Sequence, residues 1–219
     1  MKKLFFLTAI LSVLFLIPLC ACNKASHVQK EKGQGVTQPP PATSNVNTNP
    51  APLKKPFDFR KVYWGMTRGE VKKSEGSHVL EEGDDYLAFN AEVAGEKASV
   101  TYAFSNGTLE GAAYMFPKKH TNKNDYIDDF QIMKQKLMTV YGNPEYDKTE
   151  WKNSLYKDIP EHWGMAISMG HLEYEVKWVT PTTVIIEKLY GDNFKIGYVV
   201  FYKDKKMWGK ITKSNTKGL

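Results

Sequence analysis

Cysteine is almost missing from this chain of 219 residues, because Cys20 and Cys22 are its only two. The sequence after Cys22 therefore offers no disulfide, no thiolate nucleophile and no cysteine metal site. It also lacks a glycine-rich phosphate loop and the Gly-x-Ser-x-Gly motif of hydrolases. No common motif for nucleotide binding or nucleophilic catalysis is therefore met, although an absent motif does not exclude an enzyme. The lack of disulfides leaves packing as the source of stability.

The N-terminus has the pattern of an export signal. Lys2 and Lys3 precede an apolar stretch from Leu4 to Leu19, and Pro18 and small residues close this stretch after 16 residues. A membrane-spanning helix needs about 20 apolar residues. The pattern therefore favours a cleaved secretory signal peptide over the alternative, an uncleaved signal anchor.

The stretch ends in Leu19-Cys20-Ala21-Cys22, which resembles the lipobox of bacterial lipoproteins. The resemblance implies that residues 1–21 are removed and that Cys22 carries the lipid. Two or three acyl chains, at about 0.8 kcal/mol per buried methylene, would hold the protein permanently on a membrane. Asn23 is not the aspartate associated with inner-membrane retention. We therefore expect an extracytoplasmic protein, on the periplasmic face of the outer membrane if the host has one and otherwise on the outer face of the cytoplasmic membrane.

Residues 22–56 are predicted to be a disordered tether between the lipid and a folded domain. They are rich in Pro, Asn, Thr, Ser and Gln and have almost no large apolar side chains to bury. A coil of this length spans about 30 Å. From residue 57 onward the chain holds 23 basic and 23 acidic residues, so nucleic acid is not an expected partner.

Residues 203–219 are predicted to be a basic C-terminal tail, with six lysines against the single Asp204. Two interpretations remain open. In one, the lysines lie on anionic lipid headgroups while Met207, Trp208 and Ile211 enter the membrane interface. In the other, the tail is a solvated terminus whose lysines promote solubility.

The folded part begins with signals for a short helix and then a meander. Thr67 and Glu70 fit a capping box, Met66 and Val71 fit a hydrophobic staple, and Gly76 is a stop, which together predict a helix over 68–75. Period-two stretches then predict strands at 86–93, 98–104 and 109–116, with a hairpin turn at Asn106-Gly107.

The same order follows a second time. Asn124 or Asp125 is the predicted cap of a longer helix that Gly142-Asn143-Pro144 ends. Its apolar residues recur at helical spacing: Tyr126, Phe130, Met133, Leu137 and Val140. Further strands are predicted at 164–169, 172–179, 182–190 and 194–202, with a tight turn at Gly191-Asp192-Asn193.

This order predicts an α+β fold over 57–202. It consists of two helix-plus-antiparallel-meander halves, 57–120 and 121–202, whose sheets join while the helices cover one face. The Trp64-Gly65-Met66-Thr67 opening, the Gly142-Asn143-Pro144 helix end and the meanders resemble tandem domains of the β-lactamase-inhibitor-protein type. Those domains are related in fold to the small lipoprotein of the outer-membrane β-barrel assembly machine. The resemblance implies binding of another protein through a sheet or loop surface.

The polar residues do not nominate a catalytic or metal site. His162 and His171 flank a predicted strand and, with Glu161 or Glu173, are the best candidate metal ligands, although loop histidines of this kind are common. Three aspartates near the start of the longer helix are explained by the helix dipole: Asp125, Asp128 and Asp129. We therefore predict no metal, no cofactor and no catalytic residue.

Aromatic residues are plentiful, and most are expected in the core. Tyr and Trp are also favoured contact residues in interfaces, and the first candidates are Tyr102, Tyr114, Trp178 and Tyr198. The predicted function is a lipid-anchored adaptor or assembly factor that binds another protein of the cell envelope. The alternative is a lipoprotein that binds a lipid or glycan ligand, and an enzyme is the least favoured reading.

Overall fold

The structure is a computed structural model, and it describes residues 56–76 and 78–209. The described residues from Phe57 onward belong to one compact unit. The predicted signal peptide, the lipid site at Cys22 and the tether up to Lys55 lie outside the described residues. Within the described part, no helix has the length and apolar character needed to cross a membrane.

The described residues form an α+β domain, which confirms the predicted class. The helices are α1 (Arg68–Glu75), α2 (Asp125–Tyr141) and α3 (Trp163–Ser168), with a 3-10 turn at Pro160–His162 and a helical turn at 205–209. The strands are β1 (Glu81–Glu82), β2 (Tyr86–Val93), β3 (Glu96–Ser105), β4 (Thr108–Met115), β5 (Tyr146–Trp151), β6 (Leu172–Val179), β7 (Thr183–Asp192) and β8 (Lys195–Asp204).

All eight strands belong to one antiparallel sheet in the order β1-β2-β3-β4-β8-β7-β6-β5. Strands β1 to β4 form one meander and β5 to β8 form another. The two meet where β4 pairs with β8, with Ala113 opposite Phe201. Strand β8 includes Lys203 and Asp204, so regular structure extends into the segment predicted to be a tail.

Helix α1 is confirmed with the predicted bounds, because its signals are local. The Thr67 hydroxyl and the Glu70 carboxylate form the reciprocal capping box, and Gly76 ends the helix at φ 97°. That left-handed φ is favourable for glycine and costly for other residues. Val71 faces the core and is fully buried.

Helix α2 also begins and ends as predicted, but its apolar face is narrower. Phe130, Met133 and Leu137 are buried, whereas Val140 is 70% exposed. Asn124 is the N-cap, but its side chain makes no hydrogen bond to the helix. Its side-chain oxygen instead accepts a hydrogen bond from the Gly164 N–H at 2.7 Å. Its side-chain amide donates to the Pro160 carbonyl at 3.0 Å. Asn124 therefore ties the start of α2 to α3.

The strand predicted at 164–169 is wrong, because these residues form most of α3. A short apolar run does not separate a buried strand from a buried helix. The deciding contact is distant in sequence, since a Cβ on Gly164 would lie 2.2 Å from the Lys123 carbonyl carbon. Only glycine allows this close approach between α3 and the start of α2.

The predicted turn at Gly191-Asp192-Asn193 is displaced. Asp192 pairs with Lys195, so the loop consists of Asn193 and Phe194, whose φ values are 48° and 62°. Two positive φ values are typical of a type I′ hairpin. Gly191 lies in β7, where a Cβ would be 2.1 Å from the Ile167 carbonyl oxygen of α3. Glycine is therefore required here by packing against α3 and not by the turn.

The two faces of the sheet have different surroundings. The inner face carries the main core, to which the three helices contribute Val71, Phe130 and Ile167. Strand residues that alternate with these inward positions form the outer face.

Candidate functional site

The four aromatic residues predicted as partner contacts lie in the interior. Tyr102 is 0% exposed, Trp178 is 1% exposed, and Tyr114 and Tyr198 are each 7% exposed. All four belong to the inner-face core. The expectation that these four side chains are exposed is therefore not met, and their role in partner contact stays a prediction.

Polar partners inside the domain explain the burial of Tyr102 and Tyr114. The Tyr102 hydroxyl donates to Glu75 Oε1 at 2.5 Å. Arg60 forms an ion pair with Glu75 at 2.9 Å and donates to the Tyr114 hydroxyl at 3.5 Å. A buried tyrosine needs a partner for its hydroxyl, and this group supplies one at the end of α1.

The other two aromatic residues are held in the same way around α2. The Trp178 Nε1–H donates to the Gly142 carbonyl at 3.0 Å, which satisfies an oxygen at the helix end. The Tyr198 hydroxyl donates to Glu187 Oε1 at 2.8 Å. All these partners are distant in sequence from the aromatic residue, except in the Tyr198 pair within the β7–β8 hairpin.

Glu187 is the most perturbed carboxyl group of the described residues. It is fully buried on the inner face of β7, and burial raises its pKa to about 8. The Tyr198 hydroxyl opposes this shift, while Glu187 Oε2 has no hydrogen-bond partner in the described part. The group is therefore protonated near neutral pH, which is how a buried carboxyl avoids an uncompensated charge.

A second titratable group lies at the start of α2. His120 Nε2 is 2.6 Å from Asp129 Oδ2, and its Nδ1 is 3.5 Å from Asp125 Oδ2. Lys118 also approaches Asp129 at 3.2 Å. The sequence analysis explained the aspartates by the helix dipole and missed this clamp, although the i, i+4 spacing of Asp125 and Asp129 was its signal.

A surface groove lies beside this clamp, between α2 and the first meander. Its lining includes Phe116, Asp129, Ile132, Met133 and Tyr198, and its cavity volume is about 30 Å³. That volume is close to the share of one water molecule. Pockets for lipids or glycans are about tenfold larger, so this groove does not favour the small-ligand alternative.

The candidate metal ligands do not form a site. Tyr156 lies next to both histidines, with its ring centroid 5.5 Å from that of His162 and 6.4 Å from that of His171. Within residues 56–76 and 78–209, no three His, Cys, Asp or Glu side chains are placed to hold a metal ion.

The outer face of the sheet has a continuous apolar row. Five residues lie directly opposite one another across β2, β3, β4, β8 and β7: Ala88, Thr101, Ala113, Phe201 and Ile186. We call these five residues the outer row. Strand spacing of about 4.8 Å makes it about 19 Å long.

The outer row is buried although it is not part of the inner core. Phe201 is 5% exposed and Ile186 is 3% exposed. The adjacent outer-face residues Val184 and Val199 are 2% and 4% exposed. A second apolar sheet face therefore exists opposite the one that the helices cover, and a two-sided apolar sheet requires a cover on each side.

Charged residues flank one end of the outer row. Lys177 follows Ile186 in register and lies over the Tyr146 ring at 5.7 Å. Lys188 bridges Glu173 and Glu175 at 3.3 and 3.4 Å. The outer face thus combines an apolar centre with a charged side, which is the usual anatomy of a protein interface.

One polar atom in the outer row is unsatisfied. Thr101 is 7% exposed, and its Oγ1 has no hydrogen-bond partner among the described residues. A buried hydroxyl without a partner costs about 1–3 kcal/mol.

Comparisons with known proteins give no match: no protein family fits the chain, and no curated protein or solved structure is significantly similar to it. The function therefore has to be inferred from the geometry of the domain.

Proposed function

We propose that this protein is a lipid-anchored adaptor of the cell envelope that binds another protein through the outer face of its sheet. The observation that carries the proposal is the outer row, an apolar stripe on the side of the sheet opposite the three helices. Catalysis plays no part in this function.

The size of the outer face supports a protein partner. From β2 at one side to β5 at the other, the sheet spans six spacings of about 4.8 Å, and eight residues span about 26 Å, which gives a projected area of about 750 Å². A standard protein interface covers about 800 Å² on each partner. The groove beside α2 has a cavity volume of about 30 Å³, which is too small to enclose a lipid or glycan.

The proposal includes the finer architecture and the anchor. We propose that 57–120 and 121–202 are two versions of one helix-plus-meander unit, as in tandem domains of the β-lactamase-inhibitor-protein type. Helices α1 and α2 each precede a meander, and β4 and β8 join the two meanders, which supports this view. The lipid on Cys22 and the tether would place the domain tens of ångströms from the membrane surface.

Site-specific photocrosslinking in intact cells tests the binding surface. A photoreactive amino acid replaces Ser99 or Lys148 on the outer face, or Ile132 on the exposed side of α2 as the matched control. We expect a discrete crosslink to one envelope protein from the outer-face positions and none from Ile132. Free monomer at every outer-face position, or the same product from Ile132, would refute the proposed surface.

A further inference from the structure

The tip of the β7–β8 hairpin carries a residue that the stability of the domain does not explain. Phe194 has φ 62°, a left-handed conformation that is unusual for a bulky side chain. Its side chain is 65% exposed. It belongs neither to the main core nor to the partly buried residues that pack on that core in the described part. The residue therefore costs conformational energy and gains little from burial.

The corresponding hairpin of the first meander has a less strained loop. The β3–β4 loop is Asn106-Gly107, with φ values of 49° and 75°, and the β7–β8 loop is Asn193-Phe194, with φ values of 48° and 62°. The first position is asparagine in both loops. At the second position phenylalanine stands where this turn geometry prefers glycine. Strained residues of this kind are found most often at functional sites.

We propose that Phe194 is a contact residue whose ring enters an apolar pocket of a partner protein. This inference rests on the proposed function in one respect, which is the existence of a partner in the cell envelope. It adds a second contact region, at the turn end of β7 and β8, to the outer face of the sheet.

The base of the hairpin is braced on both faces of the sheet. On the inner face, a Cβ on Gly191 would lie 2.1 Å from the Ile167 carbonyl oxygen, so the strand and α3 are in close backbone contact. On the outer face, Tyr190 is directly opposite Gly197, and a Cβ on Gly197 would lie 2.7 Å from Tyr190 Cζ. The tyrosine ring therefore covers the glycine. A braced hairpin holds the Phe194 ring in place, which lowers the entropy lost on binding.

The charges at the tip favour a protein partner over a lipid surface. Asp192 pairs in register with Lys195, so the tip carries one charge of each sign. The Asn193 side-chain amide donates to Asp192 Oδ2 at 2.8 Å. Attraction to anionic lipid headgroups requires a cluster of basic residues, whereas a single aromatic ring with a polar surround is typical of a protein contact. The partner should therefore offer an apolar pocket for one phenyl ring and a polar rim.

Photocrosslinking from the tip tests this proposal in intact cells. A tagged chain carries p-benzoylphenylalanine at position 194, or at position 132 as the matched control, since Ile132 is also an exposed apolar residue. We expect one discrete crosslinked protein from position 194 and none from position 132.

Competition by untagged chains then measures the contribution of the ring. At about tenfold excess, the wild-type and Phe194→Tyr chains should lower the crosslinked product about tenfold by mass action. Phe194→Gly should need about tenfold more chain for the same effect. The thermal midpoint of Phe194→Gly should be no lower than that of wild type, so unfolding would not explain its weaker competition.

Several results would overturn this proposal. They are the lack of a crosslinked protein from position 194, the same product from position 132, crosslinks to phospholipid alone, and competition by Phe194→Gly equal to that of wild type. The outer-face crosslink from Ser99 is a separate readout. A product from Ser99 that Phe194→Gly competes for fully would refute the tip and leave the outer face in place, and a product from position 194 without one from Ser99 would do the reverse.

Discussion

The carboxyl group of Glu187 connects protonation to stability at the scale of a single residue. Its pKa is about 8 in the folded protein against an ordinary value of 4.5, so the folded state holds the proton more tightly. The free energy of unfolding therefore decreases as pH rises from about 4.5 to 8. At pH 7 the free energy of unfolding is about 3 kcal/mol lower than near pH 4 because of this group.

We predict that Glu187→Gln stabilises the domain at pH 7 by up to this amount and has little effect near pH 4. Glutamine keeps an acceptor for the Tyr198 hydroxyl and removes the titration. Urea unfolding at several pH values measures the difference, with the exposed Glu92→Gln as a control for the loss of one carboxylate. A wild-type to variant difference that does not vary with pH would contradict the account.

The surroundings of the four predicted contact residues were the least predictable from sequence. Tyr102, Tyr114, Trp178 and Tyr198 are reasonable interface residues by type, but Glu75, Arg60, Gly142 and Glu187 satisfy their polar atoms inside the domain. Three of these four arrangements join distant parts of the chain. The outer row consists of residues such as Ala88 and Ala113, which carry no chemical signal until strand register places them side by side.

At the scale of elements, local signals were sufficient where the deciding contacts are local. The Thr67–Glu70 capping box and the Gly76 stop lie within ten residues of each other, and α1 was predicted to the residue. Helix α3 was missed because its deciding contact joins Gly164 to Lys123. The β7–β8 turn was displaced because Gly191 is required by packing against Ile167 rather than by a turn.

The β7–β8 hairpin carries conformational strain that its counterpart in the first meander avoids. Phe194 has φ 62° in a two-residue loop, whereas the Asn106-Gly107 loop of the β3–β4 hairpin has glycine at φ 75° in the same position. A left-handed conformation costs a residue other than glycine about 1–2 kcal/mol. Phe194 is also 65% exposed, so it regains little of this cost by burial.

We therefore predict that Phe194→Gly stabilises the domain by about 1 kcal/mol. The matched reverse change, Gly107→Phe, should destabilise it by a similar amount, since a Cβ there meets no atom within 4 Å and only the backbone is strained. Thermal unfolding of both variants measures the effect. If both changes destabilise the domain, backbone strain is not the governing term.

At the scale of the whole molecule, the domain is a sheet with two apolar faces. The helices cover the inner face and form the main core with it. Residues of the outer face can therefore serve binding without being needed for that core. The α+β class followed from the order of helix and strand signals. The pairing of β4 with β8, which makes the outer face continuous, is a long-range contact that periodicity does not reveal.

The central claim is that the outer face binds a protein, and a charge placed in the outer row tests it most directly. Recovery of the crosslinked envelope protein is measured with wild type, with Ala113→Arg in the middle of the row, and with Ile132→Arg on α2 as the control. We predict that Ala113→Arg lowers recovery about tenfold, which is about 1.4 kcal/mol. Ser99→Arg, on the same face but not among the buried residues, should also lower recovery while its thermal midpoint stays close to that of Ile132→Arg. Unchanged recovery with Ala113→Arg, or an equal loss with Ile132→Arg, would contradict the claim.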